Sequence, residues 1–140
     1  MTLLPVGVIF GQIHYLGGTM AGKILFVDDE SYQEEIFSTY TKGIGLEIDY
    51  YTNPLKAVEA YQQNGGYDLV ITDFSMPEMD GYGVCSEIKK INPDAVVLLR
   101  TNSWDIDKKR FNGTVSKDHI NIEDRQDFIQ SILKYIPQTT

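Results

Sequence analysis

Two apolar runs in this chain stop abruptly at carboxylates. Ile24-Leu25-Phe26-Val27 ends at Asp28-Asp29, and Leu69-Val70-Ile71-Thr72 ends at Asp73. A short, uninterrupted apolar run reads as a strand buried on both faces, the habit of parallel sheets. Two neighbouring strand tips of this kind bring three carboxylates close together. Like charges so placed resist joint ionisation unless a cation stands among them, so the cluster implies a divalent metal and chemistry around it.

From Lys23 onward, strand-like and helix-like segments alternate. Residues 23–27 and 46–51 read as strands, and between them Ser31 caps a helix running to about residue 42 with Ile36, Phe37 and Tyr40 on one face. Pro54 opens a second helix with the stripe Ala57, Val58 and Tyr61, which Gly65-Gly66 ends. Residues 68–72 form a third strand, and a helix over 82–91 is stopped by Pro93. A fourth strand at 95–99, a short fifth at 114–116 and a helix over 122–136 follow. Phe128, Ile129, Ile132, Leu133 and Ile136 give that last helix its buried stripe. Alternation of this kind implies βαβ units and a parallel sheet covered on both faces. With right-handed crossovers, the expected fold is α/β: a flavodoxin-like, doubly wound, five-stranded parallel sheet in the order 2-1-3-4-5. Its winding reverses between strands 1 and 3, and ligands bind beyond the strand ends at that point. The three acids meet there.

Composition narrows the partners. A net charge of -8 argues against nucleic acid, since binding to a phosphate backbone rests on Lys and Arg. The single Cys85 excludes an internal disulfide, fits a reducing compartment and reads as a packed thiol. Residues 3–10 are apolar, but Pro5 and Gly7 interrupt them and the run is too short to span a bilayer. The first Lys or Arg is Lys23, so the start also lacks the basic region of a signal peptide. Residues 1–21 therefore read as an extension outside the domain, with Met20 a plausible natural start. Residues 22–137 read as the domain and 138–140 as a tail. The expected location is cytoplasmic, without membrane contact.

On these residues the sequence resembles the receiver domain of two-component response regulators. The resemblance is carried by Lys23-Ile24-Leu25-Phe26-Val27-Asp28-Asp29-Glu30 and by Asp73-Phe74-Ser75-Met76-Pro77-Glu78-Met79-Asp80-Gly81. Val96-Val97-Leu98-Leu99-Arg100-Thr101 and Gly113-Thr114-Val115-Ser116-Lys117 complete it. It implies that Asp73 is the phosphoacceptor, a carboxylate nucleophile attacking phosphorus in line. It implies that Asp29, Asp73 and the Ser75 backbone carbonyl ligate Mg²⁺, with Asp28 acting mainly through a coordinated water. Lys117 would pair with phosphoryl or carboxylate oxygen, and the Thr101 hydroxyl would reach a phosphoryl oxygen.

The last third departs from the family pattern. Asp118 follows Lys117 where the family usually has Pro, which leaves open whether that peptide is cis or trans and where Lys117 points. Thr114 stands where an aromatic ring is common, so the usual coupling of Thr101 to that ring is lost. Arg100 replaces an apolar residue, and Asn102 a small one; with Ser75 and Ser103 these are candidate modulators of the site. Only fifteen residues separate Thr101 from Lys117, fewer than the family usually places there. The expectation is a fourth helix cut to about one turn or replaced by a loop, with Arg100 tolerated because no helix covers its strand end.

The leading expectation is a stand-alone receiver. It would take a phosphoryl group from a histidine kinase or phosphotransfer protein, catalyse only its own phosphorylation and dephosphorylation, and signal by contact with an unknown downstream protein as a monomer or weak dimer. The alternative is a pseudo-receiver, an interaction module that is never phosphorylated. A haloacid-dehalogenase-like phosphatase is disfavoured, because such enzymes need a second acid two residues after the nucleophile and Ser75 stands there.

Overall fold

The computed structural model describes residues 5–9, 12–15, 22–103, 105–115, 117 and 125–137. Near the start, β1 (Pro5–Ile9) and β2 (Gln12–Tyr15) pair antiparallel as a two-stranded sheet of their own. Sequence reading assigned no structure to that stretch. There follow β3 (Gly22–Val27), α1 (Gln33–Thr41), β4 (Leu46–Tyr51), α2 (Pro54–Asn64), β5 (Leu69–Thr72), α3 (Gly81–Ile91), β6 (Val97–Arg100), a 3-10 turn (Lys108–Arg110), β7 (Gly113–Val115) and α4 (Arg125–Leu133).

Strands β3 to β7 form one parallel sheet in the order β4-β3-β5-β6-β7, which is the expected 2-1-3-4-5. Alternate residues of the central strands face opposite layers, as the two-residue period requires. Ile24, Phe26, Ile71 and Leu98 pack with Phe37 of α1 and Phe128 of α4. Leu25, Val27, Val70 and Leu99 pack with Ala57 of α2 and Val84 of α3. Burial on both faces explains why these strands read as continuous apolar runs. Among the described residues, no helix is long and apolar enough to cross a membrane.

The helix starts follow their local chemistry. Asn53 caps α2, its Oδ1 accepting from the Leu55 and Lys56 N–H groups, with Pro54 in first position as expected. Asp80 caps α3 by accepting from Gly83 N–H. Ser31 does not cap α1, contrary to expectation, since the N-cap position falls on Tyr32, which makes no side-chain cap, and the helix begins at Gln33. A turn occupies the place instead: Gln33 N–H donates to the Glu30 carbonyl, and the Glu30 carboxylate accepts from Tyr32 Oη and Gln33 Nε2.

The helix expected between the fourth and fifth parallel strands is the single 3-10 turn Lys108–Arg110. Its flank packs through Phe111, 7% exposed, and the half-buried Ile106. Cys85 is buried, its thiol donates to the Arg110 carbonyl at 3.3 Å, and burial pushes its pKa up. Thr114 is exposed. Trp104, Ser116, Asp118, residues 122–124 of the expected last helix, Met20 and the 138–140 tail lie outside the described residues.

Candidate functional site

The sheet register builds the site. Val27 pairs with Thr72 and Thr72 with Leu99, so the next residue along each strand forms a row: Asp28, Asp73, Arg100. The turns leaving the strands are tied down by backbone bonds. Asp28 N–H donates to Tyr51 O at 3.1 Å, Asp73 N–H to Val27 O at 2.9 Å, and Gly81 N–H to Phe74 O at 2.8 Å. The floor is therefore fixed by the centre of the sheet rather than by loops.

Carboxylate oxygens of Asp28, Asp29 and Asp73 all lie within 4.8 Å of one another. Asp28 and Asp73 are buried, while Asp29 is exposed. Lys117 Nζ donates to Asp73 Oδ2 at 2.8 Å, and Phe74 N–H donates to Asp73 Oδ1 at 2.8 Å. Lys117 thus reaches the acid directly from the far end of the domain. Above the acids opens a cleft of about 260 Å³, lined by Asp29, Glu30, Asp73, Ser75, Thr101, Asn102, Ser103 and Lys117. Thr101 Oγ1 accepts from Ser103 N–H at 3.1 Å. The sequence-predicted residues Asp29, Asp73, Ser75, Thr101, Asn102, Ser103 and Lys117 therefore meet at one opening. Asp28 lies beneath it.

Arg100 is placed otherwise than expected. Its charge is not left bare by a missing helix, because its side chain turns to the α1 and α4 face of the sheet. It is 1% exposed there, and its Nη1 donates to Asp28 Oδ2 at 3.0 Å. The shortened segment covers the other face, where Leu99 packs. The charge is tolerated because a counter-ion is buried with it, not because water reaches it.

Burial dominates the electrostatics. It lifts the Asp28 carboxyl to about 6, helped by Asp73 and opposed by Glu30 N–H, Lys117 and Arg100. Burial also lowers the Arg100 value and raises that of Tyr50, whose hydroxyl donates to the Glu30 carbonyl at 2.6 Å. Sequence reasoning missed Tyr50 and Glu30 as parts of the site. Glu30 sits beside the acid pair with nothing in its type to mark a role, and a tyrosine in a neighbouring strand carries no motif.

Three clustered carboxylates beside one lysine, at the mouth of an open cleft, offer a hard oxygen site for a divalent cation. They also offer a nucleophilic carboxylate that is held in place.

Comparison with known proteins agrees with this geometry. The family model for the response regulator receiver domain matches residues 24–117. A transcriptional regulatory protein CpxR homolog of Haemophilus influenzae is 33% identical over 86 residues, which is 61% of this chain and 37% of that protein. The chain spans about a third of the length of the curated transcriptional regulators it matches. Among solved structures, the response regulator protein TrrA of Thermotoga maritima in complex with Mg²⁺-BeF superposes with a TM-score of 0.70 at 29% identity, over 82% of this chain and 99% of that one. The complex of histidine kinase ThkA with TrrA gives a TM-score of 0.66 at 31% identity, over 80% and 98% of the two chains.

Proposed function

The chain belongs to the response regulator receiver domain family, and on that premise we propose that it accepts a phosphoryl group on Asp73 in a Mg²⁺-dependent phosphorelay. The observation that carries this is the Lys117 ammonium seated on Asp73 among the three carboxylates, at the floor of an open cleft. A carboxylate oxygen of Asp73 attacks phosphorus in line, the bond from phosphorus to the donor histidine nitrogen breaks, and an acyl phosphate forms. Water later cleaves that acyl phosphate and restores the carboxylate.

Asp29, Asp73 and the Ser75 carbonyl would hold Mg²⁺, with Asp28 behind them; the ion, when bound, neutralises charge on the transferring oxygens. Lys117 follows the charge that leaves the carboxylate for the phosphoryl oxygens. Thr101 lines the same cleft and has a hydroxyl proton to donate to a phosphoryl oxygen, while its oxygen still accepts from Ser103. The donor would be a histidine kinase or phosphotransfer protein, a reading supported by the kinase complex of the TrrA neighbour. The output would be contact with another protein.

Incubation with Mg²⁺ and acetyl phosphate, followed by intact-mass measurement, tests this. The wild-type protein is expected to gain one phosphoryl group and Asp73→Ala none. A wild type that stays unmodified, with a histidine kinase as well as with acetyl phosphate, would refute it and favour a non-phosphorylated interaction module.

A further inference from the structure

Among the described residues, Arg100 is the largest fully buried side chain. Its guanidinium lies 4.8 Å from the Phe37 ring centre and 5.9 Å from that of Phe26. Its Nη1 holds Asp28, but Nε and Nη2 have no hydrogen-bond partner among the described residues. Burying a cation with two unsatisfied donors is costly, and the ion pair with Asp28 is what offsets it. Asp28 is equally committed: Oδ2 faces Arg100, and Oδ1 accepts from Glu30 N–H at 2.9 Å. Glu30 is in turn held by Tyr50 Oη and Gln33 Nε2, so the backbone that carries Asp29 is clamped on both sides.

The charge count follows. Three carboxylates face two fixed cations, Arg100 on Asp28 and Lys117 on Asp73, so three negative charges less two leave one, that of Asp29. We propose that Arg100 is a positioning residue of the acid cluster: it orders Asp28 and the Glu30 turn without metal, and it weakens the site's hold on a divalent cation. Asp28 then contributes orientation, while Asp29 and Asp73 supply the ligand oxygens. The inference rests on the reading that these acids take Mg²⁺.

Isothermal titration of Mg²⁺ into four proteins tests it: wild type, Arg100→Met, Arg100→Lys and the double variant Asp28→Asn with Arg100→Met. Removing a buried unit charge beside the ion should tighten Mg²⁺ binding by Arg100→Met at least about tenfold. Arg100→Lys keeps the charge and should bind as weakly as wild type. The double variant removes a pair of zero net charge and should stay within about threefold of wild type. Should Arg100→Met be poorly folded without metal, the Mg²⁺-induced rise in Tm decides: a larger rise than in wild type supports the assignment. Equal affinities, or a rise no larger than in wild type, overturn it while leaving the metal site standing. No Mg²⁺ response in any of the four overturns the metal reading and this inference together.

Discussion

Burying a carboxylate favours its protonated form, and Asp28, with no exposed surface, is lifted to about 6 from an ordinary value of 3.8. Between those values the folded, metal-free protein keeps a proton that the unfolded chain has released. The stability Asp28 contributes is therefore fully present below about pH 4 and lost as pH rises through about 6. In EDTA, the unfolding free energy of wild type minus that of Asp28→Asn should fall by about 2 kcal/mol from pH 4 to pH 7. A difference independent of pH in urea titrations would contradict the shift. The acids themselves were legible because strand-end carboxylates interrupt an apolar run within a few residues. Arg100 was misread because its partner lies 72 residues away and the pairing depends on which face of the sheet it takes.

Two elements follow the strands that carry the site, α3 after β5 and the 3-10 turn after β6, and each has a point of failure. Gly81 starts α3 against the loop from Asp73: a Cβ there would stand 2.8 Å from the Asp73 carbonyl oxygen and 3.1 Å from Phe74 Cα. Both are backbone atoms, so the loop must move. Gly81→Ala should cost about 1–3 kcal/mol and slow acyl-phosphate formation, read from denaturation curves and from the time course of the adduct. A fully stable and active variant would show that the loop yields freely. The 3-10 turn is pinned to α3 by Tyr82. Its hydroxyl accepts from Asp107 N–H at 2.7 Å, its ring lies 4.1 Å from the Arg110 guanidinium carbon, and Phe111 stacks on it at 6.0 Å. Phe111→Ala should cost about 3 kcal/mol and speed amide hydrogen exchange across residues 105–112. Unchanged exchange would mean that the turn does not depend on this packing. The shortening was visible in the spacing from Thr101 to Lys117, but the latch was not, because Tyr82 alone looks like any half-buried helical aromatic.

At the scale of the molecule, the alternation of segments and the handedness of their crossovers carried the strand order, since few other arrangements of five parallel strands satisfy both. The β1–β2 hairpin escaped because Pro5 and Gly7 interrupt any period there. The first and last helices close on the same face: Phe128 meets Phe37 at 4.9 Å and Tyr40 at 5.5 Å, and Arg125 Nε donates to Tyr40 O at 2.7 Å. Phe128→Ala should lower global stability by about 3–5 kcal/mol, measured by thermal and chemical unfolding, because it opens a void between segments far apart in sequence. A loss below about 1 kcal/mol would show that the face repacks. The five-stranded sheet also has two unequal margins. On one stands β7, Gly113–Val115 among the described residues, with few free N–H and C=O groups to template another chain. On the other, β4 has six residues and carries Glu47 and Asp49. The longer margin thus presents an exposed Glu47, whose negative charge opposes edge-to-edge aggregation with another copy of the sheet.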